Sequence, residues 1–187
     1  MTTSATQAPV TQPPTAQRLQ REVPALTPPR PAVTPEVAER TLASGLRVMV
    51  VRRASVPLVE LRLRIATVGE QASLAASELL AETVLSGTAT RSNTQIASTL
   101  QGIGGDLGSA IDADRLLFSG SCLASGLPAL LDVLGDVLTS AGYPEREVGL
   151  ERDRLVDSIQ VALAQPSTAA RRALLHRLYG AHPYGVE

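Results

Sequence analysis

Two stretches near the start of the chain alternate apolar and polar residues in the way that β-strands do. In ERTLASGLRVMVVRR, a short strand, a turn at Ser44-Gly45 and an alternating run over residues 46–50 together predict a hairpin. PLVELRLRIATV predicts another strand, and from Leu61 to Ile65 its apolar residues alternate with Arg62 and Arg64, which indicates that one face is solvated.

Helical periodicity takes over further along the chain. A helix is predicted over residues 74–85, and Ser92-x-x-Gln95 has the form of a capping box that opens a second helix ending at Gly104-Gly105. DLGSAIDAD and RLLFSGSCL then predict two paired strands with a turn near 113–114. Prolines open the three remaining helices, which are predicted over residues 128–141, 144–164 and 166–179.

This order of elements predicts an α+β fold, with a largely antiparallel sheet and helices packed on one of its faces. The predicted folded domain covers residues 36–187. Eight of the 13 prolines fall between Pro9 and Pro35, so residues 1–35 are predicted to form a disordered or polyproline-like arm. That arm is either a docking tail or a solvated leader without a role.

The composition excludes several kinds of partner. The chain has 187 residues, 17 Lys and Arg, 18 Asp and Glu, a net charge of −1 and 2% aromatic residues, which predicts neither a nucleic-acid partner nor a membrane partner. The single cysteine, Cys122, lies in a predicted strand and is expected to be a buried, inert thiol. With no secretory signal and no membrane-spanning run in the sequence, a cytoplasmic location is predicted.

The segment ASELLAETVLSGT carries the chemistry of most interest. Glu78 and Glu82 lie one helical turn apart, so their carboxylates share a face of the helix. They are either ligands for a hard cation such as Mg²⁺ or Ca²⁺, or solvated carboxylates on the wall of a cleft. The two histidines, His176 and His182, lie far along the sequence from this helix and are predicted to be packing or surface residues.

Five short motifs together resemble the pitrilysin/insulinase-type metallopeptidases. They occur in the family's order over residues 41–187, and the resemblance is to the N-terminal domain, of the type found in non-catalytic processing-peptidase-like subunits. The motifs are the turn and strand LASGLRVMVV, the SGT after the first helix, GIGGDLGSAIDAD, the Glu-Arg helix LERDRLVDSI and the loop HPYG.

The resemblance implies that the zinc motif of this family is degenerate here. The family's H-x-x-E-H places two histidine ligands and a catalytic glutamate on one helix. Counting back from Gly87-Thr88, the ligand positions fall on Glu78 and Glu82, and the position of the catalytic base falls on Ala81. The third ligand position falls on Ser158, or on Ile159 if the register slips by one. The resemblance therefore implies no zinc and no catalytic residue in this chain.

The same resemblance implies a non-catalytic subunit that pairs, as a hetero-oligomer, with an active, zinc-containing homologue to process extended peptides. The substrate-edge strand would then comprise Gly105, Asp106, Leu107, Gly108, Ser109 and Ala110. The other interpretation of that strand is a plain internal strand of the sheet. Two other functions stay open: a scaffold or binding module on the same fold, and a working zinc endopeptidase. The domain is expected to be incomplete at its C-terminal end.

Overall fold

A computed structural model of the chain describes residues 34–53, 55–66 and 74–185. These residues form two units, residues 1–52 and 53–187, which are described separately below. Nearly all of the predicted proline-rich arm lies outside the described residues.

The described part of the first unit is an antiparallel hairpin of β1 (Glu36–Thr41) and β2 (Arg47–Arg52). The tight turn between the strands is closed by the amide of Leu42, which donates to the carbonyl of Leu46 at 2.8 Å. Gly45 has φ +86°, a left-handed conformation that favours glycine. The hairpin and its turn are thus formed as the sequence predicts.

The second unit contains a three-stranded antiparallel sheet in the order β3-β5-β4. Its strands are β3 (Leu58–Ala66), β4 (Asp106–Ile111) and β5 (Arg115–Leu123). Five helices accompany the sheet: α1 (Leu74–Thr83), α2 (Asn93–Gly102), α3 (Leu127–Ser140), α4 (Glu145–Leu163) and α5 (Pro166–Tyr179). The predicted α+β class is confirmed.

The core lies between one face of this sheet and the helices α1 to α3. Phe118 and Cys122 of β5 are fully buried, as is Leu130 of α3. Burial, assisted by the charge of Asp106, raises the pKa of the Cys122 thiol, which agrees with the expected inert cysteine. The opposite face carries charged side chains of β3, namely Glu60, Arg62 and Arg64. The buried core residues are Val84, Ile96, Leu100, Phe118, Cys122, Leu130, Val133, Leu134 and Val137.

Helix α2 begins at the capping box that the sequence predicts. The amide of Gln95 donates to the hydroxyl of Ser92 at 3.3 Å, and the amide of Ser92 donates to Oε1 of Gln95 at 2.8 Å. Two of the amides at the start of the helix are therefore satisfied locally. After the helix, Gly104 takes φ +60°, and the amide of Gly105 bonds back to the carbonyl of Leu100.

Helices α1 and α3 both end earlier than the sequence predicts. Helix α1 ends at Thr83 instead of residue 85, because the amide of Ser86 turns back to the carbonyl of Thr83. Helix α3 ends at Ser140 because Ala141 bridges to Thr88 in the connection after α1. A local turn thus sets the end of α1, while a tertiary contact sets the end of α3.

Helices α4 and α5 contain no fully buried residue, and α4 packs on α1 while α5 packs on α4. Several of their apolar side chains, such as Val161 and Leu178, are more than half exposed. Among the helices that the structure describes, none has the length and apolar character needed to cross a bilayer.

We expect Phe118→Ala to reduce the free energy of unfolding by about 3–5 kcal/mol, because the change leaves a cavity where a fully buried ring packs between sheet and helices. Urea unfolding followed by circular dichroism would measure this. Leu123→Ala, in the same strand at a side chain that is 45% exposed, is the control and should cost distinctly less. Equal losses in the two variants would show that the core is not centred on Phe118.

Candidate functional site

Helix α1 carries the three residues at the positions of the resembled zinc motif, and it packs against both β4 and α4. Ala81 is only 4% exposed, and its carbonyl accepts a hydrogen bond from the hydroxyl of Ser109 in β4 at 2.7 Å. Glu78 and Glu82 are exposed. The helix therefore holds its alanine close to β4 and presents its two carboxylates to solvent.

The donor set around these carboxylates does not suit zinc. Nowhere in residues 34–53, 55–66 and 74–185 do three His, Cys, Asp or Glu side chains come together in a cluster that could hold a metal ion. Ser158 is exposed on α4, and its hydroxyl donates to the carbonyl of Leu155 in its own helix at 3.0 Å. Zinc prefers nitrogen and sulfur ligands, and Glu78 and Glu82 supply oxygen alone.

The two histidines lie elsewhere in the fold. His176 belongs to the last turn of α5, and His182 lies in the turn that follows this helix. Both are exposed, and Nδ1 of His182 accepts a hydrogen bond from the amide of Tyr184 at 3.2 Å.

Strand β4, which contains most of the predicted substrate-edge strand, lies at one edge of the three-stranded sheet. It pairs with β5 on one side, and no strand of the described residues pairs with its other side. Leu107, Ser109 and Ile111 share the face that packs toward the helices, while Asp106, Gly108 and Ala110 lie on the opposite face.

Gly105 differs from the prediction, because it lies just before β4 rather than in it. Its amide donates to the carbonyl of Leu100 at the end of α2. A Cβ at position 105 would lie 2.6 Å from the carbonyl oxygen of Ser121. Gly105 is thus a close-packing position between the turn and β5.

A polar network that the sequence analysis missed fixes the connection after α1. Oδ2 of Asp136 in α3 accepts hydrogen bonds from the hydroxyls of Thr88 and Thr90, at 2.6 and 2.8 Å, and from the guanidinium of Arg91 at 3.1 Å. The same guanidinium also pairs with Asp132, one turn earlier in α3. The sequence does contain a signal for this network. Two hydroxyls and an arginine lie within residues 88–91, and two aspartates lie four residues apart on α3, at 132 and 136.

These donors lower the pKa of Asp136. The hydroxyls of Thr88 and Thr90 contribute first, and the charge of Arg91 adds to them. Because the folded state favours the ionised carboxylate, the network stabilises the fold above the unfolded pKa of about 3.9. The contribution is lost as the pH falls from there through the lower pKa of the folded state.

We expect Asp136→Ala to lower the melting temperature at neutral pH, because three donors lose their acceptor and Arg91 loses a partner. The difference from wild type should shrink as the pH falls below about 4. Differential scanning calorimetry between pH 3 and pH 7 would follow both effects. Asp132→Ala is the matched control, since Asp132 is 70% exposed and pairs with the same arginine. A deficit in Asp136→Ala that stays constant with pH would contradict this account.

The comparison with known families agrees with this fold. A family model described as Insulinase (Peptidase family M16) matches residues 70–187. The fold and the match together define a member of a metallopeptidase family, and the chain belongs to the insulinase family, M16. The resemblance seen in the sequence motifs is therefore confirmed.

Similar proteins include longer zinc proteases. An "Uncharacterized zinc protease" of Mycobacterium tuberculosis is 28% identical over 169 residues, which cover 87% of this chain and 38% of that protein. One of Mycobacterium leprae is 29% identical over 155 residues, covering 80% of this chain and 34% of the relative. The chain thus spans little more than a third of the length of these relatives.

A solved structure shares the fold. The crystal structure of a peptidase M16 inactive domain from Pseudomonas fluorescens superposes with a TM-score of 0.74. It is 24% identical in sequence, and the match covers 81% of this chain and 38% of that one. At this identity, the likeness shows the fold alone.

Proposed function

We propose that this chain is a catalytically degenerate member of the M16 family that acts as a non-catalytic subunit. It would pair with an active, zinc-containing homologue and help to hold extended peptides for cleavage. The observation that carries the proposal is the helix α1, which bears Glu78, Ala81 and Glu82 at the positions of the ligands and the base.

The chemistry of α1 supports the loss of catalysis. Metal-assisted peptide hydrolysis needs a metal-bound water and a nearby group that accepts its proton. Ala81 has no such group; the residue is buried, and its backbone carbonyl is bonded to Ser109 of β4. Glu78 and Glu82 offer two oxygen donors on an exposed helix face, a poor match for the tetrahedral nitrogen and sulfur sites in which zinc is usually held.

The edge position of β4 supports the proposed peptide-holding role. An extended peptide could add to β4 as a further antiparallel or parallel strand, with main-chain hydrogen bonds supplying the affinity. The bond from Ser109 to α1 ties this strand to the helix behind it. A peptide on β4 would therefore lie next to the helix that bears the degenerate motif.

Zinc content is the property that would separate the two kinds of similar protein. Several similar proteins are named zinc proteases, while the solved M16 domain with the same fold is described as inactive. The oxygen donors of α1 favour an inactive domain over a zinc protease. We also propose a cytoplasmic location, on the basis of the composition and the single buried cysteine.

We expect the purified chain to contain close to zero zinc per molecule, because α1 offers no nitrogen or sulfur ligand. Elemental mass spectrometry after gentle dialysis would measure the stoichiometry, with circular dichroism confirming that the sample is folded. The double variant Glu78→Gln/Glu82→Gln is the control and should give the same value. One zinc per chain in the wild type would contradict the proposal, and its loss in the double variant would identify Glu78 and Glu82 as its ligands.

Pairing needs a test of its own. We expect the chain to form a complex with an M16 homologue from the same genome that carries an intact H-x-x-E-H, and to raise the rate at which this homologue cleaves a quenched fluorescent peptide. Size-exclusion chromatography and the cleavage assay measure the two effects. The control is a homologue whose glutamate base is replaced by glutamine, which should still form the complex without cleaving. Absence of any complex would favour the scaffold function.

A further inference from the structure

The turn after α5, here called the C-terminal turn (residues 180–185), reaches the tip of the β4–β5 hairpin. The phenolic hydroxyl of Tyr184 donates a hydrogen bond to Oδ2 of Asp114, 70 residues earlier in the chain. Asp114 lies in the tight connection between the two strands. A side chain at one end of the second unit is therefore bonded to the connection that follows the edge strand.

The two carboxylates of the β4–β5 connection have separate partners. The carboxylate of Asp112 accepts hydrogen bonds from the amides of Asp114 and Arg115, at 2.9 and 3.1 Å, and so stabilises the turn locally. Asp114 directs its carboxylate away from this local arrangement, to Tyr184. Loss of the Tyr184 bond would leave the local turn intact and remove its link to the C-terminal turn.

The C-terminal turn holds Tyr184 in place. Its ring makes edge-to-face contacts with the rings of His182 and Tyr179, with centroids 4.8 and 5.6 Å apart. Gly185 packs so tightly that a Cβ there would lie 2.4 Å from the carbonyl oxygen of Gly180. In addition to the hydrogen bond to Asp114, the neighbouring rings and the closely packed backbone of the C-terminal turn thus hold the ring of Tyr184 in place.

The hydrogen bond to Asp114 also changes the pKa of the Tyr184 hydroxyl. Its hydrogen bond to Asp114, followed by burial, raises the pKa of Tyr184 above its ordinary value of about 10. Like an ordinary tyrosine, Tyr184 is protonated at neutral pH, so its hydroxyl is able to donate.

We propose that Tyr184 is a positioning residue for the edge strand β4: its hydroxyl holds the tip of the β4–β5 hairpin and so fixes the strand on which a peptide would add. The consequence for peptide capture rests on the proposed function. The consequence for the strand itself does not, because it follows from the contacts of Tyr184 and Asp114 alone.

Hydrogen exchange of the full chain tests the positioning of the strand. In Tyr184→Phe, the protected amides of residues 107–118 should exchange roughly two- to tenfold faster, which is the size of effect expected from one net hydrogen bond. Amides of α3 should be unchanged. Tyr179→Phe is the matched control, since it removes a hydroxyl from the same aromatic cluster and leaves the bond to Asp114 in place. Unchanged exchange in Tyr184→Phe, or equal acceleration in both variants, would overturn the proposal.

A double-mutant cycle separates positioning from a general loss of stability. Asp114→Ala should accelerate exchange as Tyr184→Phe does, and the double variant should be no faster than either single change. Asp114→Asn keeps a carbonyl oxygen that accepts from Tyr184, so it should preserve most of the wild-type protection. Additive effects in the double variant would show that the two residues act independently.

Binding of fluorescein-labelled β-casein, an extended polypeptide, links the strand to capture. Fluorescence anisotropy should show weaker binding to Tyr184→Phe than to wild type and to Tyr179→Phe. Equal binding to all three overturns the proposed effect on capture, while the proposed function survives. If the wild type binds no casein and the exchange pattern is as expected, the proposed function fails and the positioning of β4 by Tyr184 is supported.

Discussion

The carboxylate of Asp136 is the interaction on which the geometry of the candidate site most depends. It is 15% exposed, and three donors from the connection after α1 converge on one of its oxygens. Because Asp136 lies on α3, between the buried residues Val133 and Val137, the network attaches this connection to the best-packed helix of the fold. The end of α1 is thereby fixed relative to the core, and the positions along α1 acquire defined surroundings.

Those surroundings explain why the three positions on α1 behave differently. Glu78 and Glu82, one turn apart, share an exposed face of the helix, and Ala81, three residues after Glu78, borders that face and is buried. The helix thus leaves its two glutamates in solvent while its alanine is covered. The same packing joins the helix to β4 through the hydroxyl of Ser109. Strand β4 and helix α1 are thereby joined, and the proposed peptide binding depends on this arrangement.

The sequence predicts the local features of this structure well, because they depend on residues close together in the chain. The capping box of Ser92 and Gln95, the Gly45 turn and the alternation in β3 are all formed as predicted. The sequence did not predict the order of the strands in the sheet. β4 and β5 both alternate and both bury one face, so nothing local states that β3 pairs with β5 and leaves β4 at an edge. The Asp136 network was missed for the same reason, since its members lie about 45 residues apart. In the candidate site, the sequence placed Glu78, Ala81 and Glu82 on a helix, but it could not state that the alanine is buried and bonded through its carbonyl to β4.

The hydrogen bonds that hold α1 in place are made by residues other than Glu78 and Glu82. The buried residues of α1 are Ala81 and Thr83, the hydroxyl of Thr83 bonds within the helix, and the connection beyond is fixed by Asp136. None of these contacts involves the exposed face that bears Glu78 and Glu82. Side chains on such an exposed face can be exchanged without removing a contact that holds the helix. Helix α1 and the edge strand β4 can therefore keep their places whichever side chains stand at positions 78 and 82.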